Sequence, residues 1–225
     1  MSANAAWGAL TADIVRSRDI QDLRQWRDGK LQAVSRRHQK EGWILAPYAV
    51  TAWDEFQTLL SSPDQAARLI FDLRLQFHPH HLRIGVGFGE ITGLPKKRQR
   101  VNASLGGPAF ENARAALDSL KKNRKSEALT AFQSADPELD LALNLIYQLH
   151  DTLLRQVTPR QWETITAYAA ARRQDLGATG GRMGLNASTV SRSLQRGHYW
   201  QMERTVEGVS ELLRSRLLAH QRTIS

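Results

Sequence analysis

The stretch Leu82 to Glu90 (LRIGVGFGE) restricts the folds open to this chain more than any other. Leu82, Ile84, Val86 and Phe88 alternate strictly with Arg83, Gly85, Gly87 and Gly89. A period of two marks a β-strand with one apolar face. The opposite face is nearly bare, so it admits another backbone or a ligand at close range. Gly85-x-Gly-x-Gly89 is not a dinucleotide fingerprint, because the spacing differs and the glycines lie within the strand.

The flanking segments supply a sheet and its helices. Trp7 to Val15 (WGALTADIV) reads as a strand that delivers Asp13 to a sheet edge. Ile20, Leu23, Trp26, Leu31 and Val34 recur at helical spacing. Ile44 to Leu60, with Pro47 and a polar centre, reads as two strands. Ser62-Pro63-Asp64-Gln65 has the composition of a capping box, and Ala66, Leu69, Ile70, Leu73 and Phe77 form the apolar stripe after it. A helix is predicted from about Pro108 to Leu120, and a weak strand near Leu129 to Phe132. The order over the first 120 or so residues is β-α-β-β-α-β-α, which fits a split βαβ sandwich.

Beyond that point the pattern turns helical. Asp136-Pro137 opens a helix carrying Leu139, Leu143, Ile146 and Leu153. Thr158-Pro159-Arg160-Gln161 is a second capping box, followed by Trp162, Ile165 and Ala169 on one face. The expected organisation is an α+β domain over residues 1–133 and an all-α domain over residues 134–225.

Residues 180–195 read GGRMGLNASTVSRSLQ. Met183, Leu185, Val190 and Leu194 are the apolar positions. Gly184 suits a steep turn between two short helices, and Asn186 suits the cap of the second. Small residues where helices touch, a glycine turn and an arginine-bearing outer face are the parts of a helix-turn-helix. Thr189-Val190-Ser191-Arg192 matches a string found in bacterial examples of that motif. On this reading Ala187, Ser188 and Ser191 meet base edges, and Arg192 reaches a base or a flanking phosphate. Arg182 and Arg196 contact phosphate, and the Asn186 cap with Thr189 in the first turn places free N–H groups near the backbone. With 31 Lys and Arg against 22 Asp and Glu, the net charge is +9, and the pI is about 10.3. That balance favours a polyanionic partner. The same trihelical geometry also serves protein-interaction modules, and that alternative stays open. Met202, Val206, Val209, Leu213 and Leu217 form a further amphipathic stripe, suited to packing on its own domain or to dimerisation. A homodimer is expected, because paired half-sites require one.

Asp13 and Asp54, some forty positions apart, converge on one edge if the first strand neighbours the second hairpin. Paired carboxylates there suit Mg²⁺ and, through it, a nucleoside triphosphate. Arg83, Lys96 and Lys97 are the candidate nucleotide-binding cations. The strings Ala12-Asp13-Ile14-Val15-x-Ser17, Asp54-Glu55-Phe56-Gln57, Leu82 to Ile91 and Gly107-Pro108-Ala109-Phe110, in that order, resemble the SatD family of bacterial proteins. SatD-like N-terminal segments are similar in turn to class III nucleotidyl cyclases and diguanylate cyclases, whose two aspartates bind metal. The resemblance implies a ferredoxin-like, cyclase-like palm up to about Leu120, a helix-turn-helix at the C-terminus, and Mg²⁺ with a nucleotide as the cofactor pair.

Two departures from the cyclase pattern point to a degenerate domain without turnover. Trp53 stands where that pattern has glycine before Asp-Glu-Phe, and is expected to strain a tight turn. The positions of the transition-state Asn and Arg fall at Glu111 and Ala115, while Asn112 and Arg114 are two apart and cannot share that face. The expected function is therefore a DNA-binding transcriptional regulator with a nucleotide-sensing or dimerising domain. The competing class is a Mg²⁺-dependent nucleotidyl cyclase or nucleotidyltransferase using Asp13 and Asp54. His78-Pro79-His80-His81 reads as a solvated loop. The chain has no cysteine, no apolar run long enough for a membrane span and no signal-peptide pattern, so a cytoplasmic location is expected.

Overall fold

The computed structural model describes residues 6–93, 105–122, 127–171 and 175–218. Its strands β1 (Trp7–Ile14), β2 (Ala49–Val50), β3 (Glu55–Leu59), β4 (Leu82–Gly89) and β5 (Thr130–Gln133) form one mixed sheet, ordered β2-β3-β1-β4-β5. β1 runs antiparallel to β3 and to β4, β2 is antiparallel to β3, and β5 is parallel to β4. Helices α1 (Leu23–Lys40), α2 (Ala66–Phe77) and α3 (Pro108–Lys122) belong to this part. Helices α4 (Pro137–Gln156), α5 (Pro159–Ala169), α6 (Leu176–Met183), α7 (Ala187–Arg196) and α8 (Tyr199–Leu213) follow. The class is α+β, and the weak strand near residue 130 is real.

The bare glycine face of β4 is answered by a backbone. A Cβ on Gly85 would stand 2.3 Å from the Ala113 carbonyl oxygen, and one on Gly87 would stand 2.1 Å from the Ala113 nitrogen. Helix α3 therefore lies directly on the strand, and only glycine permits that approach. The layer between them is thin: Ala9, Ala46, Ala49, Leu59, Ala109, Phe110 and Ala113 form a small core of their own. Leu10, Ala12, Ile14, Phe56, Leu82, Ile84, Val86 and Phe88 face the other way, into the main core with α1 and α2. As β4 and β5 are parallel, α3 is the crossover that joins them.

The β5 edge of the sheet is sealed by α4. The Asn144 side chain accepts from the Phe132 N–H at 2.8 Å and donates to the Phe132 carbonyl at 3.0 Å. Asp151 accepts from the Leu129 N–H, and Asp140 from the Ser134 N–H. These side chains satisfy edge groups that would otherwise template another strand.

The main core continues from Leu10 to Leu213 without a break at residue 133. Helix α8 lies along α2: Phe71 and Tyr199 rings meet at 6.2 Å, Arg68 pairs with Glu203 at 3.4 Å, and Arg214 pairs with Asp64 at 2.9 Å. Met202, Val206, Val209 and Leu213 are consequently buried within the chain's own body.

Three local expectations are corrected. Ser62 makes no side-chain cap bond: residues 63–65 form a 3-10 turn, and the Asp64 carboxylate is taken by Arg214. The second capping box, Thr158 with Gln161, is formed in both directions. Trp53 does not strain its turn, because the non-glycine residues with positive φ are Arg16, Asp22 and His198 among those described. The turn closes instead by the Thr51 N–H donating to the Glu55 carbonyl at 3.0 Å, and Arg27 donates to the carbonyls of Ala52 and Trp53. The histidine tract is less solvated than expected: His78 stacks on Trp162 and His80 meets Trp26 edge-on.

Candidate functional site

Two places in the fold bring chemically capable side chains together: the solvent face of α7, and a charged row between the sheet and α3.

Helices α5, α6 and α7 pack against one another. Asp175 caps α6 by accepting from the Ala178 N–H at 2.6 Å, and Gly184 ends it in the left-handed region at φ 65°. Asn186 caps α7 by accepting from the Thr189 N–H at 2.8 Å. Gly180 is fixed by contact: a Cβ there would lie 2.4 Å from the Leu185 carbonyl oxygen, so the turn folds back onto α6 backbone to backbone. Gly181 has open space and plays no such part.

The buried residues of α7 are Val190 and Leu194. Ala187, Ser188, Arg192 and Arg196 are exposed, and Thr189 and Ser191 are half-buried. Ser188 donates to the Asn186 side chain at 2.8 Å, and Arg192 lies 3.4 Å from the Thr189 hydroxyl. Arg182 is exposed on α6 but donates to the Ala167 carbonyl at 3.1 Å, which ties it to the end of α5. Gln195 is also exposed, on the face of Ser188 and Arg192. Sequence reading missed it, although its place three residues beyond Arg192 on a helix was the available signal.

The second place is a row across three strands. In register, Asp13 lies opposite Glu55 on one side and Arg83 on the other. All three point toward α3, the glycine face of β4. From α3, Lys121 reaches Asp13 at 3.3 Å and Glu55 at 2.5 Å, and Arg114 reaches Glu55 at 2.6 Å. Arg83 stands 3.4 Å from Asp13. Lys121 thus supplies a positive charge between two carboxylates from within the fold. Asp54 turns to a different partner, accepting from the Ser17 hydroxyl at 2.6 Å. The residues that complete this row, Glu55, Arg114 and Lys121, were not among the sequence candidates. Their signal was the adjacency of Glu55 to Asp54, legible only once the hairpin register is known.

Asp13 Oδ1 and Thr11 Oγ1 are buried without a hydrogen-bond partner. Among the described residues no group of three or more His, Cys, Asp or Glu is placed to hold a metal ion. Lys96 and Lys97 lie outside the described residues. Asn112 donates to the Phe88 carbonyl, and Glu111 and Ala115 face solvent.

The two neighbouring carboxylates shift in opposite directions. Burial pushes Asp13 up, and the pull of Lys121 and Arg83 does not cancel it. Burial acts the same way on Glu55, but hydrogen bonds from Lys121 and Arg114 outweigh it and hold that carboxyl below its usual range. A carboxyl raised in the folded state favours folding only while protonated, so its ionisation lowers stability as pH rises through the usual carboxylate range. Glu55 has the opposite sign, its contribution being lost on acidification. Asp13→Asn should therefore melt higher than the native chain at pH 8 and at nearly the same temperature at pH 3. Thermal unfolding at the two pH values checks this, and a lower melting temperature for the variant at pH 8 would contradict it.

No helix among the described residues is long and apolar enough to cross a membrane. No curated protein matches the chain. One family model, that of the SatD family, matches residues 7–194, from the first strand into helix α7.

Proposed function

The chain belongs to the SatD family, and from that premise and the geometry of its C-terminal helices we propose that it is a DNA-binding transcriptional regulator. The observation that carries this reading is helix α7. It buries only Val190 and Leu194 and turns Ser188, Arg192, Gln195 and Arg196 to solvent. In this reading α6, the Gly184 turn and α7 are a helix-turn-helix, with α7 entering the major groove. Ala187, Ser188, Ser191 and Gln195 then face base edges. Arg192 contacts a base or its flanking phosphate, and Arg182 and Arg196 hold the backbone. The net charge of +9 supports a polyanionic partner.

We read the sheet with α1 and α2 as a ferredoxin-like, cyclase-like palm that senses or dimerises without turning over substrate. Its strand order β2-β3-β1-β4 and antiparallel pairing support that reading. Against turnover stand Glu111 and Ala115 at the transition-state positions, and the engagement of Arg114 by Glu55. A nucleotide is the proposed effector class, since Arg83, Arg114 and Lys121 are each about one-third open to solvent along one row. Regulation requires only that the effector favour one arrangement of the protein over another.

Binding to a library of genomic DNA fragments at several salt concentrations tests the proposal. The native chain should select a subset of fragments, and Arg192→Ala should weaken that selected binding by about 10- to 100-fold, corresponding to about 1–3 kcal/mol. Binding that is uniform across fragments and lost with modest salt would overturn it.

A further inference from the structure

Two surfaces suited to a second copy of this chain are already taken: the apolar face of α8 is buried against α2, and the β5 edge is sealed by α4. The outer face of α4 is not. Leu141, Leu145 and Leu149 are 63%, 53% and 71% exposed, one helical turn apart. The opposite face of α4 is fixed to the body through buried Leu139, Leu143, Tyr147 and Leu154, through Asn144 on β5 and through Asp151 on Leu129 just before it. Ordered leucines in a row on a rigid helix form a contiguous apolar patch, and such patches mark interaction sites.

We propose that this leucine row is the face of a two-fold homodimer, in which α4 packs antiparallel against α4 of a second copy. The row is self-complementary: Leu141 and Leu149 are each four positions from Leu145, about 6 Å along the axis at 1.5 Å per residue. With Leu145 on the two-fold axis, Leu141 of each copy meets Leu149 of the other. The charges favour the same direction. Glu138 lies at the N-terminal end and Arg155 at the C-terminal end, both exposed. Their present partners are exposed and loosely held: Glu138 is 3.6 Å from Arg216, and Arg155 donates to the Glu127 carbonyl and stands 3.9 Å from the Glu127 carboxylate. In the antiparallel register Glu138 falls opposite Thr152 of the second copy, with Arg155 three residues, about 4.5 Å, further along and within reach of its long side chain, whereas parallel packing sets like charges together.

A hollow of about 550 Å³ flanks the row, lined by Leu120, Ala128, Ala131, Asn144 and Gln148. A helix of this length is about 30 Å long, so the row and hollow together cover on the order of 600–800 Å² per copy, close to what a stable dimer buries. The inference does not rest on DNA binding, since α4 and α7 are different surfaces.

The full-length chain should sediment at twice its 25.3 kDa mass at micromolar concentration. Leu145→Glu should weaken self-association by more than about 100-fold, because a two-fold interface takes each substitution twice. Its circular dichroism and melting temperature should be unchanged under monomeric conditions, since the side chain touches solvent. The absence of cysteine allows a geometric check. Leu145→Cys should cross-link to itself on oxidation. Leu141→Cys alone should not, since two copies of that position stand about 12 Å apart along the axis, beyond disulfide reach. A monomeric native chain, a dimer indifferent to Leu145→Glu, or equal cross-linking at 141 and 145 would each overturn the proposal.

Discussion

Asp151→Ala should destabilise the fold by about 3–5 kcal/mol, because it leaves a buried guanidinium without its counter-charge. The Arg74 side chain is 3% exposed and that of Asp151 is 0% exposed, with Arg74 Nη2 2.5 Å from Asp151 Oδ1. Arg74 projects from α2, while Asp151 projects from α4 and accepts from the Leu129 N–H at 2.7 Å. The pair therefore joins a helix of the main core to the helix that seals the sheet edge. Around it His150 lies 3.0 Å from Arg74, and Thr130 accepts a further guanidinium bond. Burial alone would raise the Asp151 carboxyl, but Arg74 and His150 outweigh it and hold it below the usual range. The stabilisation is accordingly present at neutral pH and lost on acidification. Urea unfolding measures the cost. Removing both charges together, as Arg74→Met with Asp151→Leu, should recover most of it, since an apolar pair of similar volume carries no desolvation penalty. A loss under about 1 kcal/mol for Asp151→Ala would show the pair to be dispensable.

Gly87→Ala should cost about 3 kcal/mol or more, or prevent folding. The added Cβ would lie 2.1 Å from the Ala113 nitrogen and 2.2 Å from the Ala109 carbonyl oxygen. Both are backbone atoms, so no side-chain rotation relieves the overlap. Helix α3 would have to lift from the sheet, carrying Lys121 and Arg114 away from Asp13 and Glu55. Gly208→Ala is the matched control: its position on α8 is open, and a helical glycine-to-alanine change should stabilise by about 0.5–1 kcal/mol. Equal behaviour of the two variants in urea would refute the contact argument.

Sequence patterns revealed the strands and helices where local chemistry is self-sufficient. The alternation of Leu82 to Gly89 fixed both the strand and the presence of something pressed against its glycines, without saying that it was α3. The Asn186 cap and the Gly184 turn were readable because each is a local requirement of the backbone. The charged row was only half readable. Asp13 was evident from its strand end, but its pairing with Lys121 spans more than a hundred residues and depends on where α3 lands. The Ser62 expectation failed for a local reason: in the 3-10 turn the Gln65 N–H donates to the Ser62 backbone carbonyl, which leaves the hydroxyl no donor to cap. Trp53 was judged by the glycine it replaces, whereas Arg27 on α1 holds a turn of another shape that tolerates it. For the leucines of α4 the sequence signal was present but misleading: Leu139 and Leu143 announced a buried face, and the parallel row at 141, 145 and 149 gave no sign of being left outside.

The return of α8 onto α2 has a consequence for how this protein can be taken apart. Phe71, Tyr199, Met202 and Val206 belong to one continuous interior, so the helices that end the chain also roof its beginning. A fragment ending at residue 133 would leave α2 with its apolar flank in water, and the complementary fragment would carry the same surface as an open wound on α8. The two halves are then inseparable as folding units, whatever separate tasks they perform. Heat should meet a single cooperative body.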